Sequence, residues 1–121
     1  MCKVLGVGLD LCEIARMEEQ LHKEHFLQRC LTDDEIAYIR SKGEGAAQTL
    51  AGLWAAKEAV FKAAGTGIVC GMKDVEILHT ESGVPRCVLH GKAAEMLPGQ
   101  YMLSITHEGG MAAAVCIRMG E

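Results

Sequence analysis

Large rings are scarce in this sequence: one tryptophan, two tyrosines and two phenylalanines supply 4% of its 121 residues. A core without them has to be built from aliphatic and small side chains in close packing. Proline is scarcer still, at two positions, and the 14 glycines follow no repeat. Together with 50% apolar residues, that excludes a disordered or collagen-like chain. No apolar run approaches the ~20 residues that a membrane-crossing helix needs. The opening Met-Cys-Lys-Val-Leu-Gly lacks the basic stretch, apolar segment and small-residue site of a secretory signal. Positive charge is in short supply as well. Twelve Lys and Arg stand against 16 Asp and Glu, for a net charge of −4, so no basic field is available to hold a nucleic-acid backbone. The expectation is a cytoplasmic protein with neither nucleic acid nor membrane as partner, forming a single domain over residues 1–121.

What is present in quantity is cysteine, six residues at positions 2, 12, 30, 70, 87 and 116. They contain no C-x-x-C pair and no histidine spacing of the zinc-site kind. In a chain without a secretory signal they read as reduced, mostly buried small apolar residues.

Periodicity gives the fold class. Residues 3–11 alternate like a strand, with Leu5, Val7, Leu9 and Leu11 on one side and Val4, Gly6, Gly8 and Asp10 on the other. Glycine inside a strand often marks close approach of a backbone or a ligand, and here it shares a face with the segment's one acidic residue. Residues 13–29 carry an apolar stripe at helical spacing, Ile14, Met17, Leu21 and Phe26. Thr32 and Glu35 form a capping-box pattern before another short helix. Residues 41–48 read as a mobile loop, and a long helix runs from Thr49 to Ala64, stopped by Gly65. Short strands follow at 75–79 and 86–90 around a turn at 81–85. A helix spans 92–97, and a final hairpin over 101–107 and 111–119 turns at Gly109-Gly110. The class is α+β: one N-terminal strand, a helical half with a long central helix, then a mainly antiparallel sheet.

Three groups of residues carry chemistry. On the long helix, Leu50, Leu53, Trp54, Val60, Phe61 and Ala64 form an apolar arc. Glu58 lies at its edge, Lys62 one turn on, and Lys57 inside the arc. One reading is a solvated Glu58–Lys62 pair with a snorkelling Lys57. The other is a carboxylate and two ammonium groups lining a cleft, a set suited to a divalent cation with a polyphosphate. Asp10, at a strand end, is either a helix cap or a second carboxylate for the same cation. Gly65-Thr66-Gly67 serves as a helix stop or, through its amides and hydroxyl, approaches a phosphate. His107 follows Tyr101, Leu103 and Ile105 on an apolar strand face, as a core residue or at a pocket rim.

Three stretches occur in order over nearly the whole chain: Gly6-Val-Gly-Leu-Asp-Leu-Cys-Glu-Ile-Ala-Arg16, then Trp54-Ala-Ala-Lys-Glu-Ala-Val-Phe-Lys-Ala-Ala-Gly-Thr-Gly67, then Ser104-Ile-Thr-His107. With the Gly83-x-Pro85 turn, they resemble the holo-[acyl-carrier-protein] synthase family of small 4'-phosphopantetheinyl transferases. The resemblance implies that family's α+β fold and transfer of phosphopantetheine from coenzyme A to a serine of an apo acyl carrier protein, releasing adenosine 3',5'-bisphosphate. It implies that Asp10 and Glu58 hold Mg²⁺ against the diphosphate and that Glu58 and Lys62 are catalytic. Lys57, Lys62, Gly65, Thr66, Pro85, Thr106 and His107 would bind coenzyme A, with Thr106 and His107 at its nucleotide end. The implied assembly is a homotrimer with coenzyme A between subunits.

Departures from the family pattern shape two further expectations. Leu53 replaces a common arginine, so a coenzyme A phosphate contact is lost or passes to Arg40 or Lys42. The first helix is acidic, leaving Arg16, Lys23 and Arg29 to dock the acidic carrier, with Arg16 foremost. The serine's proton has three candidate acceptors: Glu58, a metal-held water, or an acidic residue at 33–35. The same cleft in a module that binds coenzyme A or a nucleotide without catalysis is the alternative, and a metal-dependent phosphohydrolase is a third reading.

Overall fold

The protein's structure, a computed structural model, describes residues 2–121. The alternating N-terminal segment forms strand β1, Lys3–Glu13, which pairs antiparallel with the last strand, β5, Met111–Gly120. Strand β5 pairs in turn with β4, Gln100–Glu108, and the hairpin of β2, Val75–His79, and β3, Pro85–Leu89, completes the sheet. The order is β1-β5-β4-β3-β2, antiparallel throughout, with β3 joined to β4 through the Arg86–Met102 pair. Between β1 and β2 lie α1, Ile14–Gln20; α2, Glu24–Cys30; α3, Asp33–Arg40; and the long α4, Ala46–Ala64. Helix α5, Gly91–Met96, links β3 to β4.

Register assigns the two faces of the sheet. Directly paired residues share a face, so Gly8, Cys116 and Leu103 point one way, as do Asp10, Ala114 and Ile105, and Cys12, Ala112 and His107. Helix α4 packs on this side. Its partners there are small because the helix comes very close: a Cβ placed on Gly6 would stand 2.0 Å from the Ala63 carbonyl oxygen, and one on Gly8 would stand 1.9 Å from that of Ala59. The glycine-cleared face of β1 is thus cleared for a helix backbone. Of the two readings, backbone or ligand, the backbone holds, and this approach is what carries α4's side chains up to Asp10.

The opposite face of the sheet has no covering layer. Val7, Leu9, Leu11 and Met102 are 61%, 65%, 62% and 60% exposed. An irregularity between Val4 and Gly6 inserts Leu5 and interrupts the alternation, so Val4 is exposed too and does not lie with the glycine face.

Two helical boundaries differ from the periodicity. The stretch 13–29 is two helices, broken by the turn at Leu21–Lys23, and Met17 of the first and Leu27 and Cys30 of the second enter the core. Helix α4 begins three residues earlier than Thr49, after a 3-10 turn at Gly43–Gly45, since Ala46 and Ala47 are already buried there. The capping box stands as read: Thr32 Oγ1 accepts from the Glu35 amide, and Glu35 Oε1 accepts from the Thr32 amide. Six unpaired cysteines are present, Cys12, Cys30 and Cys116 of them buried, and burial pushes the Cys87 and Cys116 thiols up to about 12. Among the described residues no helix is long and apolar enough to cross a membrane.

Candidate active site

Asp10 stands near the end of β1 and Lys62 near the end of α4, 52 residues apart in the chain, and the Lys62 ammonium donates to Asp10 Oδ1 at 3.1 Å and to the Leu9 carbonyl at 2.9 Å. The glycine notches opposite Ala59 and Ala63 produce this meeting, because they bring the last turns of α4 onto β1. Glu58 lies one helical turn before Lys62. Partial burial and the negative charge of Asp10 hold its carboxyl above the usual carboxylate range, against the pull of Lys62 and Arg16. A half-buried acid raised by a second acid is the electrostatic setting that a divalent cation relieves. No group of three or more metal-ligating side chains exists among the described residues. A cation here would therefore have two carboxylates from the protein and would draw its other ligands from a phosphate and water, as Mg²⁺ does.

A cleft of about 370 Å³ is lined by residues of α3, α4 and the sheet, including His107, Pro85, Lys42 and Leu53. His107 Nε2 is 3.0 Å from the side-chain nitrogen of Gln48. Tyr38 and His79 stack across the cleft wall at 4.3 Å between centroids and 9° between planes, and the Lys42 ammonium sits 4.5 Å from the centre of the Tyr38 ring. Nδ1 of His79 is buried without a hydrogen-bond partner among the described residues. Burial, and then the charge of Lys42, lower the pKa of His79.

On the far side of Trp54, the Arg16 guanidinium lies 6.0 Å from the indole centre, and Phe26 packs on the indole at 5.5 Å. Arg16, Lys23 and Arg29 are all exposed, on α1 and at the start and end of α2.

The sequence-derived site residues separate into those the fold gathers and those it does not. Asp10, Glu58 and Lys62 form one cluster, and Pro85 and His107 line one cleft. Lys57 belongs to neither. It is 0% exposed, and its ammonium donates to Glu35 Oε1, the Met72 carbonyl and the Val75 carbonyl at 2.9, 2.9 and 2.7 Å. All three of its protons are spent inside the protein, so neither a coenzyme contact nor a snorkelling role fits. Burial lowers its pKa, with Glu35 opposing. Glu35, equally buried, also accepts from the Thr32 and Ile77 amides, which removes it from the candidate proton acceptors.

Gly65 caps α4 in the left-handed conformation at φ 76°, its amide turned back to Phe61 and Lys62, and the Thr66 hydroxyl donates to the Gly67 carbonyl. Both lie one turn beyond Lys62 and outside the cleft. Thr106 is paired with Ala113, which pairs in turn with Leu11, so it projects from the uncovered face of the sheet, opposite to His107.

Tyr38, Gln48 and His79 were not singled out in the sequence. For His79 a signal existed in its place at the end of the predicted 75–79 strand, next to the turn that holds Pro85; in the structure the two pair directly. Tyr38 and Gln48 reach the cleft through helix packing, and periodicity carries no trace of that.

Residues 6–116 match the sequence model of the 4'-phosphopantetheinyl transferase superfamily. A holo-[acyl-carrier-protein] synthase of Caldicellulosiruptor saccharolyticus is 39% identical over 122 residues, spanning 98% of both chains. Among solved structures, the Helicobacter pylori holo-[acyl-carrier-protein] synthase in complex with coenzyme A superposes with a TM-score of 0.81 at 30% identity, over 93% of this chain and 98% of the other. The Bacillus anthracis enzyme, in complex with CoA (3',5'-ADP), gives 0.82 at 30% identity over 98% of both. With full-length relatives of this identity and a superposable fold, the chain belongs to the 4'-phosphopantetheinyl transferase superfamily, among the holo-[acyl-carrier-protein] synthases.

Proposed function

We propose that this protein transfers 4'-phosphopantetheine from coenzyme A to a serine of an apo acyl carrier protein, giving the holo carrier and adenosine 3',5'-bisphosphate. The observation that carries the reading is the contact of Lys62 with Asp10 at 3.1 Å beside Glu58, which joins two motifs far apart in the chain into one phosphate-facing cluster. Phosphoryl transfer asks the protein mainly for charge neutralisation and in-line positioning. Asp10 and Glu58 hold a divalent cation, Mg²⁺ by the hardness of their oxygens, and that ion when bound neutralises charge on the diphosphate. Lys62 leaves its place on Asp10 to face the remaining phosphate charge. Glu58 is also the carboxylate in place to accept the proton of the attacking serine, which the carrier supplies.

The cleft between the helices and the sheet takes the nucleotide end of coenzyme A. Pro85 and His107 form its walls, and Lys42 supplies the cation that Leu53, in place of the family's common arginine, does not. Gly65 and Thr66 border the diphosphate from the end of α4. The carrier docks along α1 and α2 on Arg16, Lys23 and Arg29, with Arg16 closest to the reacting end through its seat on Trp54.

The assembly is a homotrimer in which a second copy covers the bare apolar sheet face. Five large apolar side chains more than half exposed on one sheet, Val4, Val7, Leu9, Leu11 and Met102, support this, and Thr106 on that face then reaches coenzyme A held between copies. A cytoplasmic setting agrees with six unpaired cysteines.

Incubation with coenzyme A, Mg²⁺ and apo carrier protein tests the whole reading by intact mass. Transfer adds one phosphopantetheine to the carrier, only with metal, and Asp10→Ala and Glu58→Ala abolish the gain. Intact coenzyme A with no gain would instead indicate a binding module, and coenzyme A cleavage without transfer a hydrolase.

A further inference from the structure

Lys57 and Glu35 form a fully buried ion pair that the reaction does not use. Its geometry is saturated. The three ammonium protons go to Glu35 Oε1 and to the carbonyls of Met72 and Val75. Glu35 Oε1 also accepts from the Thr32 amide, and Oε2 accepts from the Ile77 amide at 2.8 Å. Strand β2 is an edge of the sheet, so Glu35 closes its free side while Lys57 holds its first residue. Three elements, α3, α4 and β2, are thereby tied at one point. A buried pair is weak evidence for stability, since well-packed apolar residues often do as well, but it is directional where they are not.

Direction matters for α4 because its other polar contacts to neighbouring elements, Gln48 with His107 and Lys62 with Leu9 and Asp10, are exposed and lie near its two ends. Its buried surface mixes alanines, Ala47, Ala51, Ala55, Ala56, Ala59 and Ala63, with Leu50, Leu53, Val60 and Phe61, apolar contacts that carry no hydrogen-bond direction. Glu58 is the residue next to Lys57. A carboxylate about 6 Å from a helix axis moves by about 1 Å for each 10° of rotation, whereas Mg²⁺ requires ligand distances of about 2.0–2.1 Å and near-octahedral angles.

We propose that Lys57 is a positioning residue: pegged through Glu35, Met72 and Val75, it fixes the rotation of α4 and so the placement of Glu58 against Asp10 for a shared divalent cation. The inference rests on the reading that these two carboxylates hold a cation. It gives the motif lysine a role quite apart from coenzyme contact, acting through its neighbour from inside the protein.

The test replaces the pair by uncharged side chains of similar length, Lys57→Met with Glu35→Gln, so that no lone charge is buried. Mn²⁺ is the probe, its binding in the presence of coenzyme A followed by the loss of the free-ion paramagnetic resonance signal. The Mg²⁺ activation constant and thermal unfolding are measured alongside. Lys57→Arg is the second variant should the double one not fold, since a planar guanidinium keeps the charge but cannot donate tetrahedrally to the three oxygens.

The expected result is Mn²⁺ affinity weakened about tenfold or more, the range for losing a residue that orients a ligand, with a parallel rise in the Mg²⁺ activation constant. Leu97→Ala, buried beyond α5, is the control: it loses thermal stability but keeps wild-type Mn²⁺ affinity. Mn²⁺ binding within about twofold of wild type in the folded Lys57 variant, or equal weakening in Leu97→Ala, overturns the positioning role. Wild-type Mn²⁺ affinity in Asp10→Ala and Glu58→Ala overturns instead the cation reading beneath it.

Discussion

Replacing Gly8 by alanine tests how α4 is brought to β1. An added Cβ would lie 1.9 Å from the Ala59 carbonyl oxygen, 2.7 Å from the Ala63 amide nitrogen and 2.9 Å from the Ala59 carbonyl carbon. All three are backbone atoms, so no rotamer change relieves the clash. Restoring an ordinary contact of 3.4 Å requires the helix to lift by about 1.5 Å. Overpacking of a well-filled core costs about 1–3 kcal/mol, and rigid backbone on both sides places Gly8→Ala at about 3 kcal/mol or above. Within a typical total of about 5–15 kcal/mol, the variant remains folded but weakened. The same lift carries Glu58 and Lys62 away from Asp10, and a displacement near 1 Å in a catalytic constellation lowers turnover by about 100-fold. Urea denaturation at fixed protein concentration reads the first effect, and transfer of phosphopantetheine reads the second. Gly71→Ala is the reference, because Gly71 has φ −64° and open space around its would-be Cβ; it should be neutral or stabilise by about 0.4–1 kcal/mol. Gly8→Ala within about 0.5 kcal/mol of that reference, or with wild-type turnover, would refute the notch argument.

Three other outcomes follow from the geometry. Burial favours the neutral form of Glu76, but hydrogen bonds from Thr32 and His90 and the charge of His90 outweigh it and hold the carboxyl below its ordinary value of 4.5. Below 4.5 the unfolded chain has taken up this proton while the folded one has not, so folding stability falls with pH down to the folded value; Glu76→Gln should flatten that acid limb in pH-dependent melts, and an unchanged slope would discount the network. Arg16→Ala should raise the Michaelis constant for the carrier protein several-fold at low ionic strength, with the effect shrinking as salt is added; an unchanged constant would remove Arg16 from docking. Leu9→Glu places a charge on the bare sheet face and should dissociate the proposed trimer in sedimentation velocity with loss of transfer. A fully active variant that sediments like wild type would refute cover of this face by a second copy.

The fold class, the antiparallel hairpins and the Thr32–Glu35 cap were legible in the sequence because each depends on neighbours within a few residues, where period, turn chemistry and capping act. Asp10, Glu58 and Lys62 were legible as candidates for a different reason: the chain carries them in motifs shared with a known family. Their chemistry alone left a surface ion pair and a strand-end cap equally open. The residues that lay beyond reach were those whose meaning depends on a long-range partner. Lys57 sits on the apolar arc as though misplaced, and only the meeting of α3, α4 and β2 supplies three oxygens for it. Tyr38 and Gln48 become cleft residues by the way helices pack.

The amino-acid order by itself determined which segments are strands and helices and which side chains have the chemistry to hold a cation and a phosphate, since backbone periodicity and functional-group identity are local properties. The tertiary structure alone decided what the glycines of β1 are for, which lysine of α4 faces the carboxylates and which is sealed in the interior, and which sheet face remains bare. Those outcomes depend on approach distance and register between segments dozens of residues apart, quantities fixed only when the whole chain packs.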